Sequence, residues 1–181
     1  ILSSAARLAG RWLLEKAIDR LSEFALSDLT TEHLREAAID GLAWIGNKRS
    51  TDLLVRVTER NPSAKFRAKA VIGLAGIDIG LAAHHAVPVL SDVPSETDLA
   101  PLIDAILRRE KGPEALAREV EGKAISKEVA ILGIERARRG GSRMRPFTRA
   151  VSIVGKIPPM PQKLNEQELK RLYDDIRRNG D

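Results

Sequence analysis

Two stretches of the sequence, residues 35–46 and 67–78, match each other at an offset of 32 residues, with Arg, Ala, Gly, Leu, Ala and Ile recurring at equivalent positions. Fainter copies occur at residues 129–134 and around residues 101–107. Self-similarity at a fixed period of about 20–50 residues is typical of proteins built from stacked repeats. The repeat therefore predicts a chain in which one structural unit is used several times in a row.

Three of the copies keep a glycine inside a predicted helix, at Gly41, Gly73 and Gly133. A glycine within a helix costs about 0.5–1 kcal/mol relative to alanine. Helices that accept this cost at the same phase in successive units are expected to use the missing side chain for close approach of a neighbouring helix. The alanines in phase with one another, such as Ala38 and Ala70, are expected to serve the same end.

Apolar residues recur at spacings of three and four along most of the chain, as they do in helices buried on one face. They predict one helix across residues 8–24, and another that begins after Thr31 and ends at Gly46. Each repeated helix is followed by a predicted partner, at residues 51–60, 81–90, 113–120 and 145–154. Pairs of this kind, each contacting only its neighbours, predict an all-α, HEAT-like α-solenoid of stacked antiparallel helix pairs over residues 1–156.

The composition agrees with packed helices and excludes several kinds of site. Hydrophobic residues make up 43% of the chain but aromatic residues only 3%, which suits helices in layers better than a β-sandwich. The chain has no cysteine, and therefore no disulfide, thiol nucleophile or covalent attachment point for a c-type haem. It also lacks a phosphate-binding loop, a His-Glu-x-x-His motif and a nucleophile elbow, so the sequence does not predict an enzyme.

The C-terminal segment differs from the repeats. Prolines predict an extended linker at residues 157–163. Asn165 followed by Glu168 is a capping-box pattern, which predicts a last helix at residues 164–181 leading to a further domain. The chain begins with Ile1 rather than Met and has no apolar run of about 18 residues, so we expect a segment of a longer protein that does not itself span a membrane.

Positive charge is concentrated in the second half of the chain. Residues 1–100 contain 12 Lys and Arg against 13 Asp and Glu, whereas residues 101–181 contain 18 against 12. A cluster of arginines surrounds the predicted turn at Gly140 and Gly141, and is the candidate docking surface for phosphate, nucleic acid or an acidic partner. Its members are Arg136, Arg138, Arg139, Arg143, Arg145 and Arg149. The alternative is a set of solvated arginines, partly paired with Glu128 and Glu135.

Three functions are compatible with these features. The first is a non-catalytic scaffold or docking domain, whose partners are neighbouring domains of the same chain or an acidic protein. The second is a nucleic-acid-binding HEAT-like protein, similar to DNA glycosylases of that shape, that uses the basic segment 136–149. Binding of single strands favours aromatic residues between the cations, and only Phe147 lies there. The third is a helical-repeat enzyme of another class, such as a chromophore lyase.

Histidines and tryptophans are predicted to have structural roles. His84 and His85 point about 100° apart on a helix, which predicts one ring facing inward and one in solvent rather than a shared metal ion. His33 is predicted to lie at the surface. Trp12 and Trp44 are predicted to be core residues. The sequence thus offers no catalytic, metal-binding or cofactor-binding residues.

Three segments are similar to the HEAT-repeat region of large planctomycete-type membrane-bound dehydrogenase proteins, at residues 34–54, 67–77 and 107–117. Residues 164–181 resemble the lead-in to the haem-binding module of that family. The resemblance implies a domain that links a dehydrogenase-like β-propeller region to a cytochrome c-type module with a Cys-x-x-Cys-His motif. It implies a c-type haem in the parent protein, no cofactor in this chain, and a periplasmic or exported location, although the residues alone leave a cytoplasmic location open.

Overall fold

The computed structural model describes residues 1–92, 96–158 and 170, and these residues form helices and no strand. The α-helices are α1 (Leu2–Arg11), α2 (Ile18–Leu26), α3 (Glu32–Ile45), α4 (Lys48–Arg60), α5 (Ala64–Leu74), α6 (Ile79–Asp92), α7 (Glu96–Leu107), α8 (Gly112–Val120), α9 (Lys127–Ala137) and α10 (Arg145–Val154). Short 3-10 helices occupy Glu15–Ala17 and Arg138–Met144. The predicted all-α class is confirmed.

The helices form two layers. Helices α1, α3, α5, α7 and α9 contact one another in that order along one layer, and α2, α4, α6, α8 and α10 do so along the other. From α3 onwards, each helix of the first layer also packs against the helix that follows it in the chain. Each helix pair therefore meets only its neighbours, which is the arrangement of an α-solenoid.

The core between the layers repeats with the period of the sequence. Leu42, Leu74 and Ile106 follow one another at 32-residue intervals, and all three are fully buried. Burial of a side chain of this size contributes about 1.5–3 kcal/mol. The sequence repeat is thus a repeat of core positions, which makes the stack one continuous hydrophobic cluster.

The glycines in phase allow neighbouring helices to approach closely, as predicted. A Cβ atom on Gly41 would lie 2.8 Å from the carbonyl oxygen of Ala6 in α1, and one on Gly73 would lie 2.9 Å from the Cβ of Ala43 in α3. The corresponding atom on Gly133 would lie 3.1 Å from the ring of Phe147. These separations are shorter than ordinary van der Waals contact. A side chain at Gly41 or Gly73 would push the helices apart, and one at Gly133 would displace the ring of Phe147.

Most predicted helix boundaries are confirmed to within a few residues. Helix α3 ends at Ile45, and the residue that caps it, Gly46, has the left-handed φ of 60° that favours glycine. Helix α4 begins at Lys48 instead of residue 51, because the side chain of Asn47 caps it by accepting a hydrogen bond of 2.9 Å from the amide of Ser50. Helix α10 has the predicted bounds of residues 145–154.

The predicted single helix at residues 8–24 is wrong. Helix α1 ends at Arg11 and α2 begins at Ile18. Leu13, between them, has a φ of 52°, a backbone conformation that is uncommon outside glycine. The apolar spacing continues across this break without a glycine or proline to mark it, which is why spacing alone predicts a continuous helix.

The C-terminal segment is described only at its start. Residues 157–158 are not helical. The rest of the predicted linker and the predicted helix at residues 164–181 lie outside the described residues, apart from Lys170.

Candidate docking surface

The six arginines of the predicted cluster lie around the turn that joins α9 to α10. Gly141 has φ 63° and ψ −148°, a conformation that is open essentially only to glycine. A Cβ atom on Gly140 would overlap the buried side chain of Met144. The two glycines and the methionine therefore build a tight turn that leaves all six arginines exposed to solvent.

A cavity of about 450 Å³ opens between α7, α9 and this turn. Three arginines of the predicted cluster line it, together with one arginine that the sequence analysis did not single out: Arg136, Arg139, Arg143 and Arg108. The carboxylates in its wall are those of Asp104 and Glu135. Cations therefore outnumber anions in the cavity wall by four to two.

Two of the cavity arginines are held by the neighbouring repeat. Arg136 donates through Nε to Oδ1 of Asp104 at 2.8 Å, and its Nη2 contacts the second carboxylate oxygen. These hydrogen bonds raise the pKa of the exposed Arg136 guanidinium above its ordinary value. Arg143 donates to the carbonyl oxygen of Leu107 at 3.0 Å. The two side chains are thus tied across the repeat boundary and line the cavity in defined positions.

The ion pairs differ from the predicted ones. Among the described residues, Glu128 and Glu135 form no ion pair with an arginine, and the partner of Arg136 is Asp104 from the preceding repeat. Glu128 lies at the start of α9, where hydrogen bonds to its own backbone amide and to Ser126 lower the pKa of its carboxyl. Glu128 is therefore engaged at the start of the helix instead of neutralising the basic cluster.

A second cavity, of about 710 Å³, lies between α8 and α10. Arg145 and Arg149 line it together with Glu121 and the exposed apolar side chain of Ile153. The structure thus divides the predicted cluster between two cavities, one lined by the turn and one between α8 and α10, and Arg138 lies exposed on the turn itself.

Arg118 extends the second group of cations along α8. It is exposed, and Arg149, 31 residues later, is exposed on α10, the next helix in that layer. Arg108 and Arg118 were not singled out from the sequence because they lie outside the densest run of basic residues. The 32-residue repeat offset does not identify Arg118, because it relates Arg118 to Ala150 and not to an arginine.

Most of the cationic surface is not neutralised by the protein itself. Within the described ranges, Arg138, Arg139, Arg145 and Arg149 form no ion pair with a carboxylate. The chain as a whole has a formal net charge of +5. Such a patch produces a positive potential that attracts anionic groups and that salt screens over about 10 Å.

The histidines adopt the predicted arrangement. Half-buried His85 lies with Nδ1 3.1 Å from Oγ1 of Thr58, whereas exposed His84 has Nδ1 3.0 Å from a carboxylate oxygen of Glu119. The two rings are almost perpendicular. His33 is exposed, as predicted. In the part of the chain that the structure describes, no three His, Asp or Glu residues are grouped so that they can hold a metal ion.

The predicted burial of the tryptophans is wrong. Trp12 is 67% exposed and Trp44 is 42% exposed. The guanidinium of Arg11 lies over the Trp44 ring, 5.4 Å from its centroid. Trp12 follows α1 at the first end of the stack, and Trp44 lies near the end of α3.

Comparison with protein families identifies the first part of the fold. The family described as HEAT repeats matches residues 2–75. Residues 2–75 are similar to HEAT repeats. The match spans α1 to α5, and the same two-layer stacking continues to α10. No curated protein and no solved structure matches the chain.

The described helices can be compared with the length and hydropathy of membrane-spanning helices. None of them combines the length and the apolar character that are required to cross a bilayer.

Proposed function

We propose that the chain is a non-catalytic scaffold that docks an acidic protein surface, on a partner or a neighbouring domain, against the arginines around the α9–α10 turn. HEAT repeats present extended surfaces of this kind, because each stacked pair adds one exposed stripe. The observation that carries the proposal is the set of four exposed arginines of the cluster whose side chains have neither a carboxylate nor a hydrogen-bond partner among the described residues: Arg138, Arg139, Arg145 and Arg149. They are positioned by a tight turn and flanked by two cavities.

An acidic protein fits this surface better than a nucleic acid does. Sequence-tolerant binding of single strands relies on bases stacked on exposed aromatic rings. Phe147, the aromatic residue within the basic segment, is 1% exposed and packs against Gly133. Its ring is therefore not free to stack on a base, and what remains is a charged surface with the apolar contacts of Ile153.

The proposal is tested by neutralising the four free arginines together, with each changed to Gln. The probes are poly-glutamate and a single-stranded oligonucleotide, and binding is measured by fluorescence anisotropy at low and high salt. We expect the variant to bind poly-glutamate at least about tenfold more weakly, because each exposed ion pair contributes on the order of 0.2–1 kcal/mol. Binding by the unchanged protein should decline with salt.

The matched control changes four exposed cations of the first half to Gln: Arg20, Lys48, Arg56 and Arg60. It removes the same charge from a different surface, so it separates a specific site from the effect of net charge. Equal losses in both variants would contradict a docking site at the turn. A clear preference for the oligonucleotide would replace the acidic protein with a nucleic acid as the partner.

For the protein as a whole, we propose the arrangement that the family resemblance implies. The domain would link a dehydrogenase-like region to a c-type haem module in a periplasmic or exported protein. The haem would belong to that module, since this chain has no cysteine to attach it. The test is the reading frame that follows Asp181, where a Cys-x-x-Cys-His motif within a few dozen codons is expected and its absence would contradict the proposal.

A further inference from the structure

The cavity of about 450 Å³ beside the turn differs from the exposed arginines that flank it. It lies between two successive repeats, with α7 on one side and α9 and the turn on the other, so its walls come from the interior of the chain. Its volume falls within the range of roughly 300–1,000 Å³ that is typical of ligand sites. Four arginines line it, and we call it the arginine cavity: Arg108, Arg136, Arg139 and Arg143.

The charge of the arginine cavity matches a doubly charged anion. Guanidinium groups remain protonated in proteins, so the wall carries four positive charges against the two carboxylates of Asp104 and Glu135, a formal net charge of +2. A phosphate monoester carries about −1.5 to −2 at pH 7, and its terminal oxygens are strong hydrogen-bond acceptors. The charge of the wall therefore matches that of a phosphorylated side chain and exceeds that of a single carboxylate.

Two of the four guanidiniums are already held in place. Arg136 is fixed by Asp104, and Arg143 by the carbonyl oxygen of Leu107. A guanidinium donates from all of its nitrogen atoms, and these contacts engage Nε and Nη2 of Arg136 and Nη2 of Arg143. Both residues therefore keep donors for a ligand, and less conformational freedom is lost when a ligand binds to them.

The other two arginines can close on a ligand. Arg108 follows α7 and Arg139 lies in the turn, and within the described ranges neither forms an ion pair or donates a side-chain hydrogen bond. Gly140 completes the wall without a side chain, since Met144 occupies the space where its Cβ atom would lie. Arginine binds phosphate oxygens through two parallel hydrogen bonds. The cavity thus offers two fixed and two movable guanidiniums to one anion.

A phosphorylated side chain fits this cavity better than the phosphates of a nucleic acid do. The phosphodiesters of a nucleic acid each carry a single negative charge and follow one another along the strand, so cations spread along a track bind them best. Here four guanidiniums surround one cavity. Arg138 and Arg145 of the docking surface directly precede and follow wall residues in the chain, where they would meet acidic residues on either side of a phosphorylated one.

We propose that the arginine cavity binds a phosphate monoester, carried by a phosphorylated serine or threonine in an acidic segment of the docking partner. The inference rests on the proposed function, because it names the residue of the acidic partner that the surface selects. It also makes docking depend on phosphorylation of the partner, since an unmodified segment leaves the charge of the cavity unmatched.

Fluorescence anisotropy with labelled peptides and the full chain tests the proposal. The peptides are rich in glutamate and differ at one central residue, which is phosphoserine, serine or glutamate. We expect the phosphoserine peptide to bind at least about tenfold more tightly than the others, because it adds charge and charge-assisted hydrogen bonds. Equal binding of the phosphoserine and serine peptides would overturn this inference and leave the proposed docking of acidic surfaces intact. Failure of every peptide to bind would contradict both.

Two neighbouring arginines provide matched variants. Arg108 lines the cavity, whereas exposed Arg109 does not and has its guanidinium near Gly76. Arg108→Gln should remove most of the preference for phosphoserine, and Arg108→Lys should restore only part of it, because lysine lacks the bidentate geometry. Arg109→Gln removes the same charge and should leave the preference unchanged. A preference that persists in Arg108→Gln, or that Arg109→Gln lowers equally, would overturn the assignment to the cavity.

Competition and NMR test the source of the phosphate and its location. Free phosphoserine cannot reach the flanking arginines, so we expect it to displace the phosphoserine peptide only at concentrations at least about a hundredfold higher than that of the unlabelled peptide. Displacement at equal concentrations would overturn the assignment to a protein segment in favour of a free phosphorylated compound. In isotope-labelled protein, the amide signal of Gly140, which lines the cavity, should shift with the phosphoserine peptide and not with the serine peptide. An unchanged Gly140 signal would overturn the site.

Discussion

The two ends of the described stack expose different residues. At the first end, α1 presents leucine to solvent, and the residue that follows it, Trp12, presents tryptophan. At the last end, α10 and the turn before it present arginine, with Ile153 as the large exposed hydrophobic side chain of α10. The outer side of the last described helix is therefore polar, whereas the outer side of the first has the composition of an interior repeat.

The difference shows that the helix pairs set the fold, whereas the solvent-facing residues set what each end of the stack can bind. Both ends are built from the same two-layer helix pairs, and the solvent-facing positions alone decide what each end can bind. An apolar contact at the first end should tolerate salt, because burial of apolar surface does not depend on screened charge. A contact at the arginine surface should weaken as salt rises. Salt titration therefore distinguishes the two surfaces in one protein.

The largest effect on stability that we expect from a small substitution is at Gly41 in α3. In Gly41→Ala the new Cβ would lie 2.8 Å from the backbone oxygen of Ala6, and backbone cannot move aside without shifting α1. We expect a loss of about 1–3 kcal/mol in the free energy of unfolding. For a chain of this size each kcal/mol lowers Tm by roughly 2–4 °C, which thermal unfolding followed by circular dichroism measures.

Gly133→Ala is the matched control in the second half. Its Cβ would meet the ring of Phe147 at 3.1 Å, and a side chain yields more easily than backbone. The gain from replacing a helical glycine, about 0.5–1 kcal/mol, should offset most of the strain, so that Tm changes little. Equal losses at the two positions would show that the helices are equally closely packed at both and would remove this contrast between the halves.

The sequence predicts the fold well where glycine, proline or a capping residue marks a boundary. Gly46 follows the end of α3 as predicted, and the predicted end of the next helix at residue 60 is confirmed, where Asn61 and Pro62 follow α4. These residues limit the backbone locally. The break after α1 was not predictable in this way, since Leu13 adopts a left-handed conformation without any such residue. Apolar spacing reports which side of a helix is buried and does not report where the helix stops.

Contacts between repeats were the harder part to predict. Arg136 is paired with Asp104, a residue 32 positions earlier, whereas inspection of the sequence suggests carboxylates nearby in the chain. Trp12 and Trp44 have the spacing of core residues but are exposed, because spacing cannot tell whether another helix lies outside them. The contact between Arg136 and Asp104 can be predicted only if polar residues one repeat apart, at the 32-residue offset, are considered as possible partners.

The smallest effect that we expect is a pH dependence of stability, which arises from His85 in the middle of the stack. Burial, and then the positive charge of nearby His84, lower the pKa of His85 below its usual 6.5, against an opposing effect of Glu59. The folded protein therefore favours neutral His85. Its contribution to stability is complete above pH 6.5, declines as pH falls from there towards the folded-state pKa, and is constant below it. His85→Gln should remove this decline, which urea unfolding over this pH range measures.

The same experiment tests whether the two ends belong to one cooperative unit. The chain has two tryptophans, Trp12 and Trp44, which follow α1 and lie in α3, so their fluorescence reports on the first helices, whereas circular dichroism reports on all helices. His85 belongs to α6, in the middle of the stack. Since its ring bonds to Thr58 of α4, protonation should lower both unfolding midpoints together. Midpoints that separate at low pH would mean that the apolar end and the basic end unfold independently, because stacked repeats lose cooperativity where one interface between them is weakened.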